Sequence, residues 1–256
     1  VKEQEFPDPD FTTVGYPNPE FPKAFAYSEK LGKENNCDIL IANDPDCDRV
    51  ALEVRDANGD YIFLNGNKIG ALLAYYIFSQ RYALNNLPEN PVMVKSIVTG
   101  DLSRAIAKKY GIETVETLTG FKNICGKANE YERTKEKTYV FGYEESIGFC
   151  YGTFVRDKDA VSASMMIVEM AAYFKKQGKT LLDVLNDIYA EFGFYNERQV
   201  SLELEGVEGQ ERIGRMMEEF REHPLTTVGA MELEKVIDFK DGYLDFPKQN
   251  CLKYYF

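Results

Sequence analysis

Short apolar runs and longer segments with helical spacing alternate along the first 190 or so residues of the chain. One segment repeats apolar residues every three to four positions, which places Ile69, Leu72, Leu73, Tyr76 and Ile77 on one helix face. Strands that alternate with helices predict an α/β fold with largely parallel pairing. We predict strands at 37–43, 49–55, 61–64, 92–99, 113–118 and 138–143, a loop at 144–159, and helices at 67–82, 102–110, 124–133, 160–176 and 181–193.

Turn and cap residues define several of these ends. Asn58-Gly59 lies between two strand-like runs and predicts a hairpin. Asn18-Pro19-Glu20 predicts the start of a further helix, with Asn as N-cap and Pro in the first position, and we expect this helix to stop at Gly32. Thr180 and Asp183 have the spacing of a capping box.

The pattern changes after residue 194. Strand-like segments at 199–204 and 235–239 flank a helical segment at 209–222. The chain starts at Val1 without a methionine, and Leu252–Phe256 resembles the start of a strand. We therefore expect a chain that is part of a longer protein, in which the residues after 194 form either a further, incomplete unit or an extension of the preceding one.

Composition narrows the class of protein. A count of 30 basic and 42 acidic side chains gives a net charge of −12, which disfavours nucleic acid and anionic membranes as partners. No apolar run approaches the ~18 residues of a membrane span. The five cysteines are odd in number and form no Cys-x-x-Cys pair, which indicates reduced thiols in a cytoplasm rather than disulfides or a zinc site.

Three carboxylates follow the apolar run 39–42 at alternate positions: Asp44, Asp46 and Asp48, with Arg49 next. In an extended segment alternate side chains leave the same face, so the three acids can converge on one cation. Oxygen ligands completed by phosphate or water suit Mg²⁺. The alternative is a solvated turn. An EF-hand is excluded, because its glycine and final glutamate positions hold Arg49 and Arg55.

A second candidate site is Gly142–Gly148, where two acids and a serine follow another apolar strand. In an extended segment, Glu144 and Ser146 would point to one side. A carboxylate and a hydroxyl together can hold vicinal sugar hydroxyls, because one accepts and the other can donate. A capped turn explains the same residues equally well.

Two further segments carry cations. Arg156 and Lys158 precede Asp159, which has the position of a helix N-cap, and a lysine there could hold phosphate or move a proton. The tight loop Thr119–Lys122 follows a predicted strand and is weak evidence by itself.

Two classes of chemistry are disfavoured by what the sequence contains. The single histidine, His223, precedes a proline at an apparent helix end, which argues against a Ser–His–Asp triad. The sequence contains neither a Walker phosphate loop nor a dinucleotide-binding glycine fingerprint.

Taken in order, the segments 44–49, 119–122, 144–148 and 156–159 resemble the α-D-phosphohexomutases, the family of phosphoglucomutase and phosphomannomutase. The segments 17–20 and 66–70 are also similar to that family. The resemblance covers about residues 1–190 and implies consecutive mixed-sheet α/β/α domains. It places most of the second family domain at 1–86, the third at 87–190, and a linker with the truncated start of an α+β fourth domain at 191–256.

The resemblance also implies a mechanism, in which a phosphoserine and a hexose bisphosphate intermediate interconvert hexose 1-phosphate and hexose 6-phosphate. The metal ligands for one Mg²⁺ would be Asp44, Asp46 and Asp48. Arg49 and Lys158 would be catalytic, beside the transferred phosphate. The residues that would bind the phosphosugar substrate are Thr119, Gly120, Lys122, Glu144, Ser146 and Arg156.

Two family segments are missing from the sequence: the Ser-His-Asn loop that carries the phosphoserine, and the C-terminal phosphate-binding loop. We therefore expect the chain alone to be inactive. The alternatives are a natural homologue that binds Mg²⁺ and sugar phosphate without turnover, and a phosphatase that uses Asp44 or Asp46 as nucleophile. Cys47 stands where the family has a small residue and is expected to point away from the metal. Tyr143 replaces a common glycine and could alter sugar preference.

Overall fold

A computed structural model describes residues 1–198, 200 and 202–256. The chain divides into two compact units, residues 1–197 and residues 198–256. Each is described by itself.

The first unit begins with a three-stranded antiparallel sheet. Its strands are β1 (Ile39–Asn43), β2 (Val50–Arg55) and β3 (Tyr61–Leu64), in the order β1-β2-β3. The predicted hairpin is confirmed, since β2 pairs with β3 and Gly59 adopts the positive φ of 89° that its turn requires. Asp44, Asp46 and Asp48 lie in the connection between β1 and β2.

A four-stranded sheet follows, in the order β5-β4-β6-β7. Its strands are β4 (Pro91–Ser96), β5 (Glu113–Thr117), β6 (Thr138–Glu144) and β7 (Gly148–Tyr151). Among the strands of the described residues, only β4 with β5 and β4 with β6 pair in parallel, so the prediction of largely parallel pairing was wrong. The predicted loop 144–159 was also wrong in its first part, because residues 148–151 form β7 against β6.

Six helices accompany these sheets: α1 (Ala26–Asn35), α2 (Gly66–Ala83), α3 (Leu102–Lys109), α4 (Phe121–Thr134), α5 (Ala160–Lys175) and α6 (Leu181–Phe192). The predicted caps at two of them are confirmed. The Asp159 carboxylate accepts hydrogen bonds from the first turn of α5, and Thr180 with Asp183 forms the capping box of α6.

Helix α1 differs from its prediction at both ends. A 3₁₀ turn, Pro22–Phe25, precedes it, and the Asn18 carboxamide instead accepts a hydrogen bond from the backbone of Glu20 in a local turn. The helix also continues through Gly32. A Cβ on Gly32 would lie 2.7 Å from both Leu40 and the hydroxyl of Tyr61, so this glycine permits close packing of the helix on the sheet rather than ending the helix.

One hydrophobic core joins both sheets of the first unit. Its fully buried side chains come from strands and helices on both sides of the linker at 84–90, and include Leu52, Ile69, Leu72, Phe78, Met93, Phe141, Ile167 and Val184. The predicted face of α2 is confirmed as part of this core. The domain boundaries near 86 and 190 stay predictions.

The second unit contains α7 (Gly206–Glu222), β8 (Thr227–Val228), β9 (Met231–Glu232), β10 (Lys235–Asp238) and β11 (Leu252–Tyr255). Strand β10 pairs antiparallel with β11, which confirms strand character at the end of the chain. Residues 202–205 form no strand, contrary to the predicted strand 199–204, of which Gln199 and Ser201 lie outside the described residues. Among the described helices, none combines the length and apolar character that a bilayer span needs.

Candidate active site

The three predicted metal ligands come together. One carboxylate oxygen from each of Asp44, Asp46 and Asp48 lies within 4.8 Å of the other two. The reason differs from the predicted one, because the segment is not extended. The backbone turns, with Cys47 N–H donating to the carbonyl of Asp44 at 3.0 Å and Cys47 at a positive φ of 55°. Cys47 is exposed.

Asp44 organises this turn, which we call the metal loop (residues 44–49). Its buried carboxylate accepts hydrogen bonds from the backbone N–H groups of Asp48, at 3.0 Å, and Arg49, at 2.9 Å. Its second oxygen accepts from Nε of Arg49 at 2.7 Å. Burial acts to raise the pKa of Asp44, but the hydrogen bonds from Arg49 outweigh it and hold the pKa below its usual value.

Both predicted catalytic cations, Arg49 within the metal loop and Lys158 outside it, contact a carboxylate of the loop. Nζ of Lys158 is 2.8 Å from Oδ2 of Asp48, and Nε of Arg49 is 3.6 Å from Oδ1 of the same carboxylate. Burial and the neighbouring Asp44 raise the pKa of Asp48 against the opposing effect of Lys158. The pKa of Lys158 is itself raised, because its bonds to Asp48 and Asp157 outweigh its burial.

Glycine 148 makes room for Lys158. A Cβ at Gly148 would lie 2.8 Å from Cδ of Lys158 and 2.9 Å from the ring of Phe121. The ammonium of Lys158 also lies over that ring, 5.4 Å from its centroid. The absence of a side chain at Gly148 therefore leaves the space that the side chain of Lys158 occupies.

Backbone hydrogen bonds join three of the motifs into one frame. Val50 N–H donates to the carbonyl of Ile147 at 3.1 Å, which attaches the metal loop to the β6–β7 hairpin. Ala160 N–H donates to the carbonyl of Cys47 at 3.1 Å, which attaches the loop to the start of α5. Asp159 N–H donates to the carbonyl of Phe149 at 3.0 Å and closes the frame.

The predicted sugar-binding residues divide into two groups. Glu144 is buried and its carboxylate accepts the N–H of Gly120, which has a positive φ of 115°. Burial raises the pKa of Glu144. Thr119 is exposed beside Gly120, and Ser146 is half-buried in the β6–β7 hairpin that carries Glu144.

Two other predicted substrate residues are not drawn into this arrangement. Lys122 is exposed on the first turn of α4, and Arg156 pairs with Glu132 of that helix. Tyr143 points into the core: it is buried, donates to Ser103 at 2.8 Å and stacks between Phe141 and Phe149. The side chain of Tyr143 therefore belongs to the core, and its effect on sugar preference stays a prediction.

Sequence reasoning missed two acidic neighbours. Oε2 of Glu20 lies 4.0 Å from Nη1 of Arg49, although its segment was interpreted as a helix start. The carboxylate of Glu145 accepts hydrogen bonds from the hydroxyls of Ser96 and Thr99, away from the Gly120 contact of Glu144. Nothing in the sequence distinguishes Glu145 from the adjacent Glu144.

The frame therefore presents three clustered acids, two cations and the buried carboxylate of Glu144 at the ends of β1 and β6. The family model described as phosphoglucomutase/phosphomannomutase, alpha/beta/alpha domain III matches residues 65–192, and the domain II model matches residues 1–59. The chain belongs to the phosphoglucomutase/phosphomannomutase family.

Particular relatives are phosphoglucomutases. The chain is 37% identical over its whole length to a phosphoglucomutase of Staphylococcus epidermidis, of which it covers 48%. It is 36% identical to a phosphoglucomutase of Staphylococcus aureus, with 47% of that protein covered. The chain thus spans about half the length of the curated relatives it matches.

Solved structures share the fold at low sequence identity. The structure of parafusin, a phosphoglucomutase of Paramecium, aligns with 97% of this chain at a TM-score of 0.58 and 19% identity, and the alignment covers 41% of the parafusin chain. The structure of a phosphoglucomutase/phosphomannomutase family protein of Burkholderia thailandensis aligns with 68% of this chain at a TM-score of 0.52 and 18% identity, and the alignment covers 33% of the Burkholderia chain. The mixed α/β fold expected from the sequence is confirmed.

Proposed function

We propose that this chain carries the metal-binding and sugar-binding segments of a phosphohexomutase, which interconverts hexose 1-phosphate and hexose 6-phosphate. The observation that carries the proposal is the contact of Lys158 and Arg49 with carboxylates of the metal loop, on a backbone frame that also includes the hairpin of Glu144. Phosphoryl transfer depends chiefly on positioning and charge neutralisation, which these groups can supply.

The donor set of the metal loop suits Mg²⁺. One oxygen of each carboxylate lies within 4.8 Å of the other two, and Asp44 is buried, Asp48 half-buried and Asp46 exposed. The side chain of Asp46 makes no hydrogen bond or ion pair with the rest of the described chain. The three ligands would be Asp44, Asp46 and Asp48, and bound Mg²⁺ would neutralise charge on a phosphate oxygen. Oxygen ligands from a phosphate or water would complete the coordination.

The remaining groups would hold the substrate. Arg49 would bond phosphate oxygens as a planar guanidinium, and Lys158 would neutralise the transferred group as a point charge. Glu144 would accept a hydrogen bond from a sugar hydroxyl, while the hydrogen bond that it accepts from Gly120 N–H keeps its carboxylate in place. Ser146 and Thr119 would contact the phosphosugar beside Glu144. Lys122, on the first turn of α4, and Arg156, paired with Glu132, would reach it from outside that group.

Turnover needs a phosphorylated serine, and the sequence contains no Ser-His-Asn loop. We therefore infer that this chain alone does not interconvert hexose phosphates, and that a hexose bisphosphate serves as intermediate where the serine is present. The cysteines of the described chain are free thiols, which supports a reducing compartment such as the cytoplasm. Neither nucleic acid nor membrane is an expected partner.

The test is an assay of the purified chain with Mg²⁺, glucose 1-phosphate and glucose 1,6-bisphosphate, paired with calorimetric titration of Mg²⁺ and of the sugar phosphate. We expect Mg²⁺-dependent binding without glucose 6-phosphate. Rapid formation of glucose 6-phosphate would contradict the inference of inactivity. Release of inorganic phosphate would favour a phosphatase, and the absence of any Mg²⁺ binding would remove the metal assignment.

A further inference from the structure

The two adjacent acids of the β6–β7 hairpin accept hydrogen bonds from different parts of the first unit. Glu144 accepts the N–H of Gly120, on the side of the proposed sugar site. The carboxylate of Glu145 instead accepts hydrogen bonds from the hydroxyls of Ser96, at 3.2 Å, and Thr99, at 3.0 Å. These hydroxyls lie at and just after the end of β4.

The turn that supplies these hydroxyls is itself held rigidly. Ser96 and Thr99 are buried, and their hydroxyl oxygens lie 2.7 Å apart. The fully buried Lys95 donates from Nζ to the carbonyl of Thr99 at 2.6 Å and pairs with Asp101 at 2.9 Å. Buried, satisfied hydrogen bonds of this kind fix geometry, because leaving any one of them unmade costs ~1–3 kcal/mol.

The first turn of α2 supports the hairpin from another side. A Cβ at Gly66 would lie 2.0 Å from the carbonyl oxygen of Glu145 and 2.8 Å from the nitrogen of Ile147, so helix and hairpin backbones are in direct contact. The next residue, Asn67, accepts from Gly100 N–H at 2.9 Å. The hairpin therefore lies between α2 and the turn after β4, with Glu145 bonded to the latter.

We propose that Glu145 is a positioning residue: by binding Ser96 and Thr99 it fixes the hairpin so that Glu144 stays on Gly120 and faces a sugar hydroxyl. The positioning itself follows from the contacts within the first unit. Its effect on sugar binding rests on the proposed function. Because the Glu145 carboxylate already accepts two buried hydroxyls, it acts through Glu144 rather than as a sugar ligand.

The amide of Gly120 reports the position of Glu144 directly. In ¹⁵N-labelled chain, a proton bonded to a carboxylate resonates downfield and exchanges slowly with solvent. Glu145→Ala should move the Gly120 proton upfield and speed its exchange ~10-fold, the effect of losing ~1.4 kcal/mol of hydrogen bonding. Glu145→Gln keeps an acceptor oxygen and should restore the native signal. Glu136→Ala, at an exposed position on the same unit, is the matched control.

Thr99→Val tests the same link without altering the hairpin, and it removes one donor at nearly constant volume. It should shift the Gly120 signal in the same direction by a smaller amount, and urea unfolding of each variant separates this local effect from a general loss of stability. An unchanged Gly120 signal in both Glu145→Ala and Thr99→Val would overturn the proposal. If Glu145→Ala does not fold, Thr99→Val and Glu145→Gln decide it.

Sugar affinity supplies the functional readout. Titration with glucose 1-phosphate in Mg²⁺, followed by ¹⁵N shifts, should give a Kd ~10-fold weaker for Glu145→Ala and near-native for Glu145→Gln. Equal affinities in all three proteins would contradict the link to sugar binding. A wild-type chain that binds no sugar phosphate would count against the proposed function alone, because the Gly120 signal still tests the positioning.

Discussion

The ammonium of Lys158 lies 2.8 Å from Oδ2 of Asp48, one of the three acids of the metal loop. This pairing joins the start of α5 to the connection between β1 and β2. It also means that a protein cation already balances part of the charge that Mg²⁺ would balance. Under the proposed function, bound Mg²⁺ and Lys158 would compete for Asp48 until a phosphate offered the lysine another partner.

Replacing Lys158 by Met should strengthen Mg²⁺ binding to the chain by up to ~5-fold, because a partly exposed ion pair is worth ~0.2–1 kcal/mol. Calorimetric titration measures the change, with Lys122→Met as control because Lys122 is exposed on α4. The same substitution should weaken phosphosugar binding. Unchanged Mg²⁺ affinity would show that Lys158 and the metal do not share Asp48.

Asp46 and Asp44 should respond differently to neutralisation. Asp46 is exposed, so Asp46→Asn should weaken Mg²⁺ binding at least ~10-fold while metal-free stability stays equal or rises, because like-charge repulsion falls. Asp44→Asn should also lower stability by ~1–3 kcal/mol, since its carboxylate holds the loop backbone. Titration and thermal unfolding measure both. Asp10→Asn, at an exposed position, is the control for loss of one charge.

Two glycines in helices should give opposite results on substitution by alanine. At Gly66 a Cβ would lie 2.0 Å from the carbonyl oxygen of Glu145, so Gly66→Ala should destabilise the first unit by at least ~1–3 kcal/mol. At Gly126, in α4, a Cβ would meet nothing within 4 Å, so Gly126→Ala should stabilise by up to ~1 kcal/mol. Urea unfolding compares the two, and equal effects would contradict the close packing at Gly66.

Glu53 should make the stability of the chain fall with rising pH. Burial, with a smaller effect of Glu29, raises the pKa of Glu53 from 4.5 to about 7, and its Oε2 has no hydrogen-bond partner among the described residues. The folded state thus keeps a proton that the unfolded state loses, so stability present below pH 4.5 declines until about pH 7. At ~1.4 kcal/mol for each pH unit, the loss reaches about 3 kcal/mol.

Glu53→Gln should remove this decline and stabilise the chain at pH 8. The residues paired with Glu53 on the neighbouring strands, Leu40 and Phe63, are apolar and cannot stabilise a deprotonated carboxylate. Urea unfolding between pH 4.5 and 8 measures the effect, with the exposed Glu34→Gln as control. An identical pH dependence in Glu53→Gln and the native chain would show that Glu53 is not the group responsible.

The sequence predicted most elements of the first unit because their signals are local. Apolar periodicity identified α2, and cap residues located the starts of α5 and α6. Strand β7 was missed, since it has only four residues and its hairpin places Ile147 at a positive φ of 55°, which a β-branched residue rarely adopts. Gly32 was misinterpreted because its partners Leu40 and Tyr61 are distant in sequence.

The spacing of the acids predicted their convergence, although through an extended backbone that the structure does not have. The contacts around the acids could not be predicted from the sequence. Glu144 and Glu145 are identical in sequence terms, and what distinguishes them is their hydrogen-bond partners: Gly120 for Glu144, and Ser96 with Thr99 for Glu145, all more than 20 positions away. Long-range hydrogen bonds of this kind leave no trace in periodicity or composition.

The hydrogen bond from Ala160 N–H to the carbonyl of Cys47 has a practical consequence for anyone who wishes to transplant this site. A synthetic peptide covering 37–50 would contain all three acids and Arg49, yet it would lack the backbone partners at Ile147 and Ala160. Such a peptide would keep only the hydrogen bonds that Asp44 makes within the loop, without the two that attach this segment to the hairpin and to the start of α5. A graft that reproduces the loop must bring the hairpin and the start of α5 with it.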